Sequence, residues 1–289
     1  MTRRNLGCKN EKDVIKMFNK YREYANLILM YISTQCQDFK FDKTHNYKAY
    51  SFKDYKKLNN IKPTYTEKFK KYKIQSGTKE SSISPKTDFI IIDETNNNSI
   101  VKCVSLKCGN GRITSSDKHE TTALFKCVLD TIKEPKNNVI LNVMNFLKEF
   151  PGEKILINRK QTAKILKKSK SNMEFNKIQH SINTSNLNFD KIVKENPDFL
   201  KGVIKEALTG KLKFGDNTAS ADCFIQINTN DYYPDKIFDL KKDNTDLEDY
   251  INYLFNTLFV SKKDNEIKNV LAWKTSGGKK NRKCWCRFL

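Results

Sequence analysis

Apolar positions along this chain fall into short, separated blocks. From residue 11 to 32, Val14, Met17, Phe18, Tyr21, Tyr24, Ala25, Ile28, Leu29 and Ile32 recur at three- and four-residue spacing, which predicts one amphipathic helix. The period then changes. Asp88-Phe89-Ile90-Ile91-Ile92 is a β-branched run behind an acid and predicts a strand. Asn96-Asn97-Asn98-Ser99 supplies a turn, and Ile100 to Leu106 alternates apolar with polar as a second strand. A glycine-containing loop, Cys108 to Ser116, leads to Asp117, an N-cap with Glu120 as its capping-box partner. That helix continues through Ala123, Phe125, Leu129 and Ile132 until Glu134-Pro135 ends it. Another helix is predicted over 139–150, and one more ends at Thr209-Gly210, where glycine gives a left-handed C-cap. Cys223–Ile227, 269–274 and 283–289 read as strands. These elements predict an α/β (α+β) chain: a small mixed central sheet flanked by helices, with extra helical and β segments.

Charge adds a partner to that outline. Lys and Arg number 54 against 33 for Asp and Glu, a formal net charge of +21 over 289 residues. Such an excess implies a polyanion, with DNA the first expectation. An Asn- and Lys-rich composition from an AT-rich genome would account for part of it. None of the eight cysteines forms a C-x-x-C pair, and Cys284-Trp285-Cys286 has no second pair at zinc spacing. We expect reduced thiols in an intracellular protein. No apolar run reaches the roughly 20 residues of a membrane span. The expected location is the host cytoplasm or the inside of a virion.

Candidate chemistry gathers in residues 84–125. The predicted elements bring Asp88, Lys107 and Glu120 to one end of the sheet. Two acids and a lysine suit metal-dependent phosphodiester hydrolysis, since hard cations take carboxylate oxygens and activate water. A lysine there positions that water or offsets developing charge. Asp88, followed by a strand carrying Ser105-Leu106-Lys107, resembles the PD-(D/E)xK restriction-endonuclease-like superfamily. Ser105 stands where that pattern usually has an acid. A branch of restriction enzymes shares this serine-x-lysine strand and carries the acid on the following helix. Twelve residues, 108 through 119, separate Lys107 from Glu120, so Glu120 matches the migrated acid. Pro85 departs from the pattern, standing three residues before Asp88. The resemblance implies a restriction-endonuclease-like core, catalysis by Asp88, Lys107, Glu120 and Ser105, and Mg²⁺ or Mn²⁺ on Asp88 and Glu120. Many such nucleases pair to cut both strands, which leaves a homodimer open. In that fold an early helix often adds an acid, which makes Glu23 a weak candidate beside its plainer reading as a solvated residue. Glu80 lies in a polar loop, 75–85, from which it could approach the metal. The residues alone also fit an ordinary β-hairpin with a solvated Lys107 and Glu120 as a helix-start acid.

The remaining signals concern binding. Lysines interleave with tyrosines over 37–75; we read the tyrosines as packed on the core and the lysines as phosphate contacts. Lys211, Lys213, Lys274, Lys279, Lys280, Arg282 and Lys283 form the expected nucleic-acid-binding set, the last five around Gly277-Gly278. Glu206 reads as a surface residue, with an orienting role as the less favoured alternative. The basic stretch 158–195 contains His180, which has no partner at ligand spacing. Residues 1–150 are expected to hold the nuclease-like core with its helical arm, and 151–289 the basic segment and C-terminal strands. No composition break proves two domains. The EALTGKLKFG block and the chain's ending softly resemble uncharacterised phage-encoded proteins. The expected function is a metal-dependent DNA endonuclease; the rivals are a non-catalytic virion or packaging protein that binds nucleic acid, and an inactive nuclease scaffold. P-loop, HExxH and G-x-S-x-G motifs are missing from the sequence.

Overall fold

The computed structural model of the protein describes residues 4–75, 83, 85–108, 115–132, 196–228, 231–241, 245–259, 272–276 and 283–287. The expected helix 139–150, the stretch 158–195 with His180, Glu80, Lys279, Lys280 and Arg282 lie outside them. The chain divides into two compact units, each assembled from three stretches. The first comprises Met1–Thr66, Ser81–Gly111 and Lys205–Tyr250; the second Glu67–Glu80, Arg112–Ile204 and Ile251–Leu289.

A five-stranded mixed sheet forms the first unit. Its strands are β1 (Tyr47–Ser51), β2 (Phe89–Asp93), β3 (Ser99–Cys108), β5 (Cys223–Ile227) and β6 (Pro234–Asp239), in the order β1-β2-β3-β5-β6. β3 and β5 run parallel, with Val104 opposite Cys223 and Lys107 opposite Gln226; the other neighbours are antiparallel. Alternation along each strand creates two cores. Phe89, Ile91, Val104, Leu106, Cys223 and Ile225 face Val14 and Phe18 of α1 (Arg4–Lys20) and Ile28, Leu29 and Ile32 of α2 (Arg22–Gln35). Ile90, Ile92 and Cys103 face Phe52 and Tyr55 of α3 (Phe52–Leu58) and Phe214 of the one-turn helix α7 (Lys211–Phe214). The expected mixed sheet flanked by helices is therefore present, with eight helices among the described residues.

Three details differ from the sequence pattern. The single helix expected over 11–32 is two, because Tyr21 is extended (φ −115, ψ 106) and restarts the chain as α2. The interruption leaves Tyr21 exposed while both helices keep their apolar faces on the sheet. The tyrosine-lysine stretch contains an unexpected strand, β1, whose Ala49 and flanking tyrosines pack against the sheet as the tyrosines were expected to do. Asp117 closes a short strand, β4 (Ser115–Asp117), directly before α5 (Lys118–Leu129).

In the second unit, α4 (Glu67–Gln75) packs with α5. β4, β8 (Lys283–Arg287) and β7 (Ala272–Ser276) form a three-stranded antiparallel sheet in the order β4-β8-β7. Phe125 of α5 meets Phe199 of α6 (Pro197–Thr209) edge to face, ring centres 5.3 Å apart. α8 (Thr245–Phe259) belongs to the first unit as far as Tyr250 and to the second from Ile251. Among the described residues, no helix is long and apolar enough to cross a membrane.

Candidate active site

Asp88 stands immediately before β2, where its own N–H is bonded to Val104 O at 2.8 Å. Its carboxylate turns to the neighbouring strand and accepts the Leu106 N–H at 2.6 Å. Ser105 adds a side-chain hydrogen bond, and Lys107 faces the same carboxylate. Strand alternation explains the grouping, because residues 105 and 107 project on one side of β3 while Leu106 enters the α1/α2 core. Burial pushes the Asp88 carboxyl above its usual range, against the pull of Lys107, the Leu106 N–H, Lys86 and Ser105. Three of the four expected catalytic residues, Asp88, Ser105 and Lys107, thus meet within the first unit.

Glu11, on α1, joins them. Its carboxyl is pushed up to about 7, first by burial and then by the charge of Asp88, with Lys107 acting in the opposite sense. Cys108, at the end of β3, is pushed up to about 11 by burial, Glu11 and Asp88 together. The helix acid that faces Asp88 and Lys107 is Glu11 on α1, whereas Glu23 is exposed on α2. A sequence signal for Glu11 exists. It lies three and seven residues before the buried Val14 and Phe18, so an acid shares an apolar helix face.

Lys86 and Glu206 complete the charged group. Lys86 is half-buried but crowded by protein: burial, then Lys107 and Lys213, push its ammonium down to about 7, against Asp88 and Glu206. Glu206 corrects the surface reading, being 4% exposed. Its two oxygens accept the N–H groups of Leu212 (2.8 Å) and Lys213 (3.0 Å) at the start of α7. Burial pushes it up to about 7, against those two N–H groups and the charges of Lys86 and Lys213.

Glu120 belongs to the second unit, in the first turn of α5, where its Oε1 is 3.9 Å from the ammonium of the buried Lys73. Lys211 and Lys213, read together in the sequence, point to different places. The Lys211 ammonium is 3.4 Å from Lys241 O, beside a cleft of about 570 Å³ that Asn217, Thr218, Asp222 and Lys241 also line. The Lys213 ammonium lies 5.6 Å from the Tyr65 ring centre and 5.0 Å from that of Phe214. Lys274 is paired in β7 opposite Trp285, and Lys283 in β8 opposite Ser276.

A separate group, Cys36, Asp38 and Asp239, brings one ligand atom each within 4.8 Å of one another. Lysines already serve it: Lys102 bonds Asp38 Oδ1, and Lys241 bonds Oδ2 at 2.8 Å.

Neither a family model nor a curated protein matches the chain. Among solved structures, restriction endonuclease MspI in complex with its cognate DNA matches at 14% identity and a TM-score of 0.43, over 97% of this chain and 88% of that one.

Proposed function

We propose that this protein is a metal-dependent nuclease that hydrolyses DNA phosphodiester bonds at the Asp88–Ser105–Lys107 group. One observation carries the reading: a lysine and two carboxylates, Asp88 and Glu11, converge at the sheet of a strongly basic chain. The donor set fits Mg²⁺ or Mn²⁺. Both carboxyls are raised by burial, and the charge of Asp88 raises Glu11 further, so a hard cation on their oxygens would relieve a repulsion that Lys107 offsets only in part. Bound there, it would supply an activated water and positive charge at the scissile phosphate. Asp88, fixed by the Leu106 N–H, would hold it. Ser105 keeps that carboxylate in place where a second strand acid is missing. Lys107 orients the water or offsets charge on the phosphate. A phage or virus source is an expectation of the soft sequence resemblance alone.

Supercoiled plasmid incubated with and without Mg²⁺ or Mn²⁺ tests the activity. Cleavage should need the cation. Asp88→Asn should abolish it and leave binding nearly intact. Cutting by that variant at the wild-type rate, or binding without cutting in every metal, refutes the reading and leaves a nucleic-acid-binding protein. The second acid is decided separately. The spacing in the sequence nominates Glu120, and the geometry of the first unit nominates Glu11. Ser105→Ala should be tolerated, because the Leu106 N–H still fixes the Asp88 carboxylate. Loss of activity in Glu120→Ala with Glu11→Gln still active would assign the role to Glu120; the reverse pattern would assign it to Glu11.

A further inference from the structure

The turn between α6 and α7 is built around a buried carboxylate that has no part in the catalytic set above. Glu206 takes two consecutive peptide N–H groups, and the Thr209 hydroxyl lies 3.4 Å from its Oε2. A neutral side chain would cap a one-turn helix at lower desolvation cost. The carboxylate form is favoured here by those N–H groups and by the lysines it faces, Lys86 and Lys213.

Both lysines are fixed by the backbone around them. Lys86 runs beneath Gly210, where a Cβ would come within 2.6 Å of Lys86 Cγ and 2.9 Å of its Cβ. Only the glycine, at φ +69, leaves that passage open. The Lys86 N–H bonds Ala219 O at 2.8 Å, and the next residue anchors through Thr87 Oγ1 to Ser220 O at 2.9 Å. Lys213 is held from the other side. Thr66 donates its N–H to Lys213 O at 2.9 Å and its hydroxyl to Leu212 O at 2.8 Å. The Tyr65 and Phe214 rings beside the Lys213 ammonium are stacked, centres 5.5 Å apart. Lys86 also faces Lys107 and Asp88, so the turn adjoins the catalytic group. Lys86 thus meets repulsion from Lys107 and Lys213 as well as attraction from Asp88 and Glu206, and an anion entering beside these ammonium groups would relieve that repulsion.

We propose that Lys86 and Lys213, fixed around the Glu206-capped turn 209–215, form a phosphate subsite that takes a backbone phosphate flanking the one cleaved. Its place beside a cleaved phosphate rests on the nuclease reading; the subsite itself does not. Lys211, whose ammonium is 3.4 Å from Lys241 O, is not part of it.

Fluorescence anisotropy of a short labelled DNA duplex, without divalent metal and over a series of salt concentrations, tests the subsite. Lys86→Gln and Lys213→Gln should each weaken binding several-fold. Each should flatten the log–log salt slope by about one unit, the signature of one lost phosphate contact. Lys20→Gln, at the exposed far end of α1 from Glu11, measures a generic loss of charge, and both variants must exceed it. Thermal melting checks folding. If Lys86→Gln melts early, Lys213→Gln alone decides, because Lys213 is half-buried and its backbone bonds do not depend on its side chain. Wild-type affinity and slope in a folded Lys213→Gln protein would overturn the subsite. Cleavage by the wild-type protein reports separately on the nuclease reading: plasmid left uncut by the wild type in Mg²⁺ and in Mn²⁺, with weakened binding in both variants, leaves the subsite standing and that reading refuted.

Discussion

Glu11 occupies a helix face that packing alone would give to an apolar residue, since Val14 and Phe18 on that face are buried. Keeping an acid there costs desolvation and repulsion from Asp88. A group maintained at such a cost is expected to act. Glu11→Gln should lower cleavage by about 10–100-fold, the range seen when groups supporting a metal site are removed. It should leave the melting temperature unchanged or raised, because it removes an unfavourable buried charge. Unchanged cleavage would make Glu11 a bystander. Lys102 is the opposite case, a fully buried cation held by Asp38. Burial pushes the Asp38 carboxyl up, but the hydrogen bonds from Lys102 and Lys241 outweigh it and hold the group at about 2, below its usual 3.8. A depressed carboxyl contributes stability above its unfolded value. That contribution should therefore be complete above about pH 4 and fade as pH falls towards 2. Asp38 is 36% exposed and so partly screened. Asp38→Ala should cost about 1–3 kcal/mol by leaving a buried cation short of its partner. Lys102→Met in the same background should recover part of that loss in denaturant unfolding. No recovery would mean that Asp38 acts through the loop it sits in.

Elements show where local pattern suffices and where it fails. β2 and β3 were legible because a β-branched run and a period of two leave few other conformations. Asp88, Ser105 and Lys107 came with them, since each is tied to a strand by its neighbours in sequence. Gly210 was legible too, because its φ of +69 is what a helix-ending glycine permits. The contacts of Glu11 and Lys86 were not, because they depend on how α1 and the 209–215 turn meet the sheet. β1 is five residues long, and its Tyr-Lys-Ala-Tyr-Ser alternation is too short to stand out among lysines. α7, with four residues, has no period to detect and owes its shape to Glu206. That dependence is testable by thermal melting. In Glu206→Gln, one of the two acceptors becomes an NH₂ group facing a backbone N–H. The expected loss is that of a missing cap, about 0.5–2 kcal/mol. Gly210→Ala should lose at least the ~1–2 kcal/mol of a left-handed alanine, because its Cβ also meets the base of the Lys86 side chain. A Gly210→Ala protein as stable as wild type would show that Lys86 does not need that passage.

At the scale of the molecule, the excess of cations has to be read against the acids already engaged. Asp38 is shared by Lys102 and Lys241, Asp130 is bonded by Lys68 and Tyr72, and Glu94 pairs with Lys48. Glu248 pairs with Lys205. With Asp222 also 3.6 Å from the Lys241 ammonium, these five acids and five lysines neutralise one another and leave the formal +21 to the rest of the chain. Such a surface would bind DNA chiefly by releasing the cations condensed on the DNA, so log Kobs should fall linearly with log salt concentration at about 0.9 per phosphate contacted. Six contacts would cost on the order of 10³ in affinity between 50 and 200 mM salt. Asp88→Asn should follow the same line as wild type, or lie slightly above it, because it removes a negative charge and no phosphate contact. The two behaviours together separate catalysis from binding: the variant holds DNA with the wild-type salt slope and does not cut it. An affinity independent of salt would point instead to a small molecule or a protein as the partner. A steep slope shared by cleavable and uncleaved DNA would place the affinity in the backbone and leave any sequence preference to the cleavage step.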